Sequence, residues 1–254
     1  MRRLSAVIIV VMMTGFIALI YNEASYASTS SDLIYSKNEN PYGISYSEWI
    51  GRWWQWHVSI PNKINEQDPA NLLTLAHPRE AYSPEKCAWN QYDKDVWFLP
   101  DGRNLALSEA NTPEIRKCTV PQEKALLVQI YGGGCSYGEG LKTDQELKDC
   151  VDIGLDTVEF TAKVDGVEVM SSKNRDDFLP APYSYDLTYT QDNLYDVPAG
   201  TYKAMAGGYF LFVKPLSEGD HKIEFKETFF KPGFEGQPSS ENRISNVVYD
   251  LTVL

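Results

Sequence analysis

The stretch Thr157–Met170, TVEFTAKVDGVEVM, decides how this chain is read. Two β-favouring runs, Thr157 to Val164 and Val167 to Met170, are separated by Asp165-Gly166 alone. An Asp-Gly pair supplies the positive φ angles that a two-residue hairpin turn requires, so the segment is a β-hairpin. Further strands are expected downstream at Tyr183–Tyr189, Thr201–Ala206, Tyr209–Val213 and His221–Phe229. In the last of these, Ile223, Phe225 and Phe229 alternate with Lys222, Glu224 and Lys226, giving one dry face and one wet face. Val247, Tyr249, Leu251 and Val253 alternate in the same way at the C-terminus.

Upstream, Val96–Leu99 (VWFL), ended by a Pro-Asp-Gly turn, and Ala125–Tyr131 (ALLVQIY) read as buried strands. Eight or so short strands joined by Gly, Pro and Asp turns, without regular helices between them, imply antiparallel sheets. The expected fold is mainly β: an antiparallel β-sandwich, jelly-roll or Ig-like, with an N-terminal Trp-rich helix and one short additional helix.

The first helix opens at Ser45, with Glu48 three residues on, and ends at Pro61. Trp49, Trp53, Trp56 and Ile60 recur at helical spacing, flanked by Ile50 and Trp54. Trp54 is turned about 100° from Trp53, so one helix face cannot hold all four tryptophans. Trp49, Trp53 and Trp56 are expected to plug the sandwich, with Trp54 partly at the surface. The functional alternative is a platform on which Trp54 and Trp53, with His57 beside them, stack against a flat ligand such as a sugar. The second helix is capped by Thr143 and Glu146 and runs to about Ile153. Pro61 to about Tyr92 is polar, Pro-rich and aperiodic, and reads as loop.

The N-terminus carries Arg2 and Arg3, then an uncharged, mostly apolar run Leu4–Ile20, then Ser25-Tyr26-Ala27 with small residues at both positions a signal peptidase reads. Residues 1–27 are therefore expected to be a secretory signal, 28–44 an irregular lead-in, and 45–254 a single β-sandwich domain with its packed helix. An uncleaved Leu4–Ile20 segment would be the chain's membrane contact. The signal holds two Arg and one Glu, so its removal moves the net charge from −12 to about −13. Such acidity argues against nucleic acid, whose phosphates it would repel. Four cysteines in an exported chain read as disulfides, with three pairings available. Cys87–Cys118 and Cys135–Cys150 are favoured, each closing one loop around local structure.

The segments Tyr46–Pro61 (YSEWIGRWWQWHVSIP), Val96–Leu99, Arg116–Ile130 (RKCTVPQEKALLVQI) and Pro215–Phe225 (PLSEGDHKIEF) resemble a family of exported proteins with no assigned activity. Its members share a W-x-x-x-W-W-x-W helix, a C-x-V-P strand entry and a late L-x-x-G-x-H strand. The resemblance implies export and a shared fold, and it brings no catalytic residues with it. The Gly132-Gly133-Gly134 lead into Cys135 departs from the family pattern.

Few residue patterns point to chemistry. Gly134–Gly138 matches G-x-S-x-G around Ser136, and Asp192 and His221 follow in hydrolase order. The strand-rich surroundings and the neighbouring Cys135 weigh against a nucleophile elbow. His57, His77 and His221 are scattered, and none forms a metal-binding pair, so no catalytic metal is expected. The carboxylates Asp93, Asp95, Asp144, Glu146, Asp149, Asp152, Asp156, Asp176 and Asp177 fit no calcium-loop spacing. A structural Ca²⁺ on loop oxygens is the one cofactor kept open. The expectation is an exported, extracellular or cell-surface protein that binds rather than catalyses, with a glycan or cell-envelope partner. An extracellular hydrolase of esters or polysaccharide, and a structural subunit of an envelope complex, are the alternatives.

Overall fold

The computed structural model describes residues 30–60, 87–88, 90–101, 105–106, 112–193, 195–229 and 243–254. The signal segment, His77 and most of the Pro-rich loop lie outside the described residues. The Asp-Gly hairpin forms as its sequence dictates. Asp165 (φ 49°) and Gly166 (φ 80°) join β5 (Glu159–Val164) to β6 (Val167–Ser171).

The remaining strands are β1 (Val96–Leu99), β2 (Leu105–Ala106), β3 (Glu114–Val120), β4 (Ala125–Ser136), β7 (Tyr183–Tyr189), β8 (Gly200–Val213), β9 (Gly219–Phe229) and β10 (Arg243–Val253). One sheet has the order β1-β4-β8-β7. The other has the order β2-β10-β9-β5-β6, with β3 also on β10. Their facing sides enclose the main core. Leu126, Val128, Tyr209 and Leu211 of the first sheet meet Phe160, Ile223, Phe225, Val247 and Tyr249 of the second.

The sheets are not purely antiparallel, which corrects the expected topology. β1 runs parallel to β4, with Val96 opposite Ala125 and Leu99 opposite Val128. β3 runs parallel to β10, with Glu114 opposite Val247 and Val120 opposite Val253. The physical reason for the first pair lies in burial: the β1–β4 sheet is covered on both faces, as sheets with parallel pairs usually are, and so VWFL and ALLVQI are buried at every position, with Gln129 the one polar residue among them. The two strands expected at Thr201–Ala206 and Tyr209–Val213 are one strand, β8, continuous through Gly207-Gly208.

The outer cover is the Trp-rich helix α2 (Tyr46–Val58), preceded by one helical turn, α1 (Ser30–Leu33). The Ser45 side chain accepts the Glu48 N–H, while the Glu48 carboxylate pairs with Arg52 at 2.9 Å rather than closing a capping box. The tryptophans do not plug the sandwich. Trp49, Trp53 and Trp56 form a second core with Phe98, Leu127, Phe210 and Phe212 on the outer face of the β1–β4 sheet. Indole N–H groups pin the helix: Trp49 donates to the Pro41 carbonyl and Trp53 to the Leu99 carbonyl, each at 2.9 Å. Trp54 is buried as well, at 7% exposure, where a ring partly at the surface was expected.

The triple glycine explains how. In register, Gly132 faces Gly208 and Gly133 faces Gly207, so two stretches of backbone without side chains meet. A Cβ at Gly134 would overlap the six-membered ring of Trp54 from one side. Val151 of α3 (Asp144–Asp152) lies against Gly133 and Gly207. Removing side chains from β4 lets an indole and a helix approach the same strand. Gly134→Ala is expected to cost about 1–3 kcal/mol by overpacking, read as a lower urea midpoint with an unchanged slope. A variant as stable as the parent would show that the indole moves aside freely.

Both expected disulfides form. Cys135–Cys150 staples α3 to β4, and Cys87–Cys118 ties the chain before β1 to β3. Two disulfides fit an oxidising compartment. Among the described residues no helix is long and apolar enough to cross a membrane.

Candidate functional site at the polar end of the sandwich

β3 inverts the usual pattern: Glu114 and Arg116 point inward and are buried, while Ile115 is half-exposed. On β9 the inward series Ile223, Phe225 continues not with an apolar residue but with Glu227, 2% exposed. Opposite it in β10 is Ser245, also buried and hydrogen-bonded to the Glu227 side chain. Strand register places these groups at one end of the sandwich, the end toward which β1 runs. There the chain leaves β1 through Pro100 and Asp101.

Arg116, fully buried, holds that exit. Its guanidinium pairs with Glu114 at 3.0 Å. It also donates to the carbonyls of Pro100 (3.1 Å) and Asp101 (2.7 Å) and to the Tyr249 hydroxyl (2.6 Å). The Tyr249 hydroxyl in turn donates to the Pro100 carbonyl at 2.6 Å. A planar fork that satisfies carbonyls and a carboxylate together suits arginine, and lysine could not reproduce it.

Asp101 is the electrostatic centre of this end, acting on His57, Glu227 and Tyr195 and acted on by Arg116 and Glu114. Burial pushes its carboxyl above the ordinary range, against the pull of His57 and Arg116. Burial likewise raises Glu227 to about 7. His57, on the last turn of α2, is buried and held below the ordinary histidine value by loss of solvation. Tyr195 keeps 40% of its surface exposed, yet burial of its hydroxyl end holds the phenol far above its usual value.

The aromatic part of the same end is compact. His57 stacks on Trp53 with centroids 4.8 Å apart and planes 12° apart, and meets Trp54 edge-on at 5.4 Å. Tyr195 lies 6.0 Å from His57 and 6.5 Å from Trp54. Among the described residues, five buried side-chain polar atoms have no hydrogen-bond partner. They are Trp54 Nε1, His57 Nδ1, Gln129 Oε1, Glu227 Oε1 and the Tyr185 hydroxyl; Trp54 and His57 share the aromatic corner, and His57 and Glu227 both feel Asp101. Buried polar atoms are nearly always paired, so such a concentration asks for a ligand or solvent.

No family model and no curated protein matches this chain.

The residues singled out by G-x-S-x-G are placed apart from one another. Ser136 is buried on β4, bonded to the Tyr189 hydroxyl at 3.1 Å, and its N–H donates to Glu139. His221 stands on the other sheet. Its Nδ1 meets Asp165 at 2.7 Å and its Nε2 meets the Ser217 carbonyl at 2.9 Å, so it clamps the Asp-Gly hairpin to the turn before β9. Asp192 lies in the turn after β7, where its carbonyl accepts from Thr190. The acidic residues of α3 have local duties: Asp144 binds Lys203, Glu146 closes the capping box with Thr143, and Asp152 pairs with Lys148. Among the described residues no group of three or more His, Cys, Asp or Glu side chains is arranged to hold a metal. A concavity of about 530 Å³ lies between α3 and β8, floored by Leu155, Leu179, Pro182 and Tyr209 and edged by Asp156 and Arg175.

Trp53, Trp54 and His57 were legible as candidates from the helix alone. Glu114, Arg116, Asp101 and Glu227 were not singled out. Their signal was present in β9, where residues 223, 225, 227 and 229 share a face and the third is a glutamate.

Proposed function

We propose that this chain is an exported, non-catalytic binding protein that takes its ligand at the polar end of the sandwich, around Asp101. One observation carries the reading: the partnerless buried atoms Trp54 Nε1, His57 Nδ1 and Glu227 Oε1 stand on side chains from α2 and β9 that meet around Asp101. Two disulfides and an acidic surface are in keeping with work outside the cytoplasm, as is the likeness of the Trp-rich helix and the C-x-V-P and L-x-x-G-x-H segments to exported proteins. Extracellular or cell-surface placement, and a glycan or envelope partner, belong to the same proposal.

The hydrolase reading keeps one specific support. Glu227, raised by burial to about 7, has a value suited to general acid–base work, and the Asp101 carboxyl near it is also pushed up by burial. A single experiment separates the two. The protein recovered after export is tested by thermal shift against a panel of neutral, cationic and anionic small molecules, and in parallel for turnover of ester and glycoside substrates. The binding reading expects a ligand that raises Tm and perturbs the backbone amides of Asp101 and Ser245, with no turnover. Hydrolysis that disappears in Glu227→Gln would overturn it.

A further inference from the structure

We infer that Gln55 and Gln91 stand in for missing strands at the two borders of the β1-β4-β8-β7 sheet, and so keep copies of this chain from joining edge to edge. A border strand offers a row of unpaired N–H and C=O groups to any strand that comes near. At the entry to β1 the Asp95 carbonyl accepts from the Ala125 N–H of β4 at 3.0 Å, so the alternate residues Val96 and Phe98 turn their backbone groups to the open side. The Phe98 N–H donates to Gln91 Oε1 at 2.9 Å, and the Phe98 carbonyl accepts from Gln91 Nε2 at 2.8 Å. The Val96 N–H is taken by Asp93 Oδ1 at 3.0 Å. At the opposite border, on β7, the Thr188 N–H donates to Gln55 Oε1 and the Thr188 carbonyl accepts from Gln55 Nε2, each at 2.9 Å. Each side-chain amide thus exchanges two bonds with one edge residue, as a residue of an antiparallel neighbour would.

Both glutamines are positioned by the fold. Gln55 stands on α2, which approaches β7 closely: a Cβ at Gly51 would come within 2.9 Å of the Tyr183 ring. Gln91 stands in the segment that leads into β1. That segment is tied at Cys87 by the disulfide to Cys118, at Asn90 by a 2.6 Å bond to Ser59 Oγ, and at Tyr92 by a 3.0 Å bond from its hydroxyl to the Arg52 carbonyl. Water would satisfy the exposed Thr188 groups nearly as well as Gln55 does, so stability is not the main effect of the cap. What water does not do is keep a strand away. The strand to be kept away is that of a second copy, because the borders suit their own kind. β1 is an uncharged apolar run, Val96–Leu99, the type of edge that pairs with itself when left open. β7 carries the exposed carboxylate of Asp186 as a further guard. Gln91 is therefore expected to matter more than Gln55.

The test is the average mass of the protein recovered after export, read by sedimentation equilibrium for the parent, Gln55→Ala, Gln91→Ala and the double variant. The parent is expected to keep one mass between about 10 µM and about 500 µM, while the double variant rises about twofold, with a dissociation constant inside that range. Hydrogen exchange at the Phe98 and Thr188 amides reads the borders themselves. In dilute solution each Ala variant is expected to exchange its uncapped amide about tenfold faster than the parent, and to regain protection as association sets in. Gln91→Lys separates an open border from a loosened fold. It removes the cap but leaves a charge in its place, and is expected to keep the parent's mass. A double variant that folds and keeps the parent's mass at the highest concentration overturns the inference, as does a Gln91→Lys variant that associates like Gln91→Ala. If the double variant does not fold, Gln91→Ala alone, on the more apolar border, decides by the same two outcomes.

Discussion

Glu227→Gln is expected to stabilise the protein by about 3 kcal/mol at pH 8 and to change little at pH 4. The value follows from a carboxyl whose ordinary 4.5 is raised to about 7 in the fold, at about 1.4 kcal/mol per unit. Burial is the chief cause, and the hydrogen bond from Ser245 works against it. The folded state prefers the neutral acid, so it binds the proton more tightly than the unfolded chain does. The stabilisation is therefore full below about 4.5 and is lost as pH rises through about 7. Glutamine has the same shape and no charge to bury, so the variant should lack this slope. His57 acts in the opposite sense: its lowered value makes stability fall as pH drops below the ordinary 6.5. Urea denaturation of both proteins at pH 4, 6 and 8 measures the effect. A difference that does not grow with pH would mean that Glu227 reaches solvent.

Arg116→Met is expected to destabilise by about 3–5 kcal/mol, the usual cost of removing one partner from a buried ion pair. It would leave the Glu114 carboxylate, the Pro100 and Asp101 carbonyls and the Tyr249 hydroxyl without the guanidinium that binds them. The double variant Glu114→Gln/Arg116→Met separates charge from packing. Removing the stranded charge should restore part of the loss, and a double-mutant cycle reads the coupling directly. Loss below about 1 kcal/mol for Arg116→Met alone would place the pair in a solvated setting, where such pairs contribute little.

The two effects have a common origin in strand faces that carry charge where the core expects hydrocarbon. Glu114, Arg116 and Glu227 all occupy inward positions, and the strands tolerate them because each finds partial compensation across the sandwich end. Burying them costs free energy that Val or Leu in the same places would not.

The sequence by itself determined what depends on near neighbours along the chain. The Asp165-Gly166 hairpin, the start of α2 at Ser45, the Thr143–Glu146 capping box and the limits of β1 and β7 all follow from a few adjacent residues. The disulfide pairing was favoured by the sequence but chosen by the fold, since four cysteines leave three pairings open. Tertiary structure decided the rest. The parallel β1–β4 and β3–β10 pairs, the continuity of β8, and the place of α2 outside a sheet rather than inside the sandwich depend on contacts between residues far apart in sequence. The fate of Trp54 shows why. Helical geometry turns it away from Trp53, and on an isolated helix it would face water; only the side-chain-free backbone of Gly132–Gly134, nearly eighty residues later, makes room to bury it. The candidate site is of the same kind, because Asp101, Arg116, His57 and Glu227 become neighbours only when two sheets and a helix close on one end.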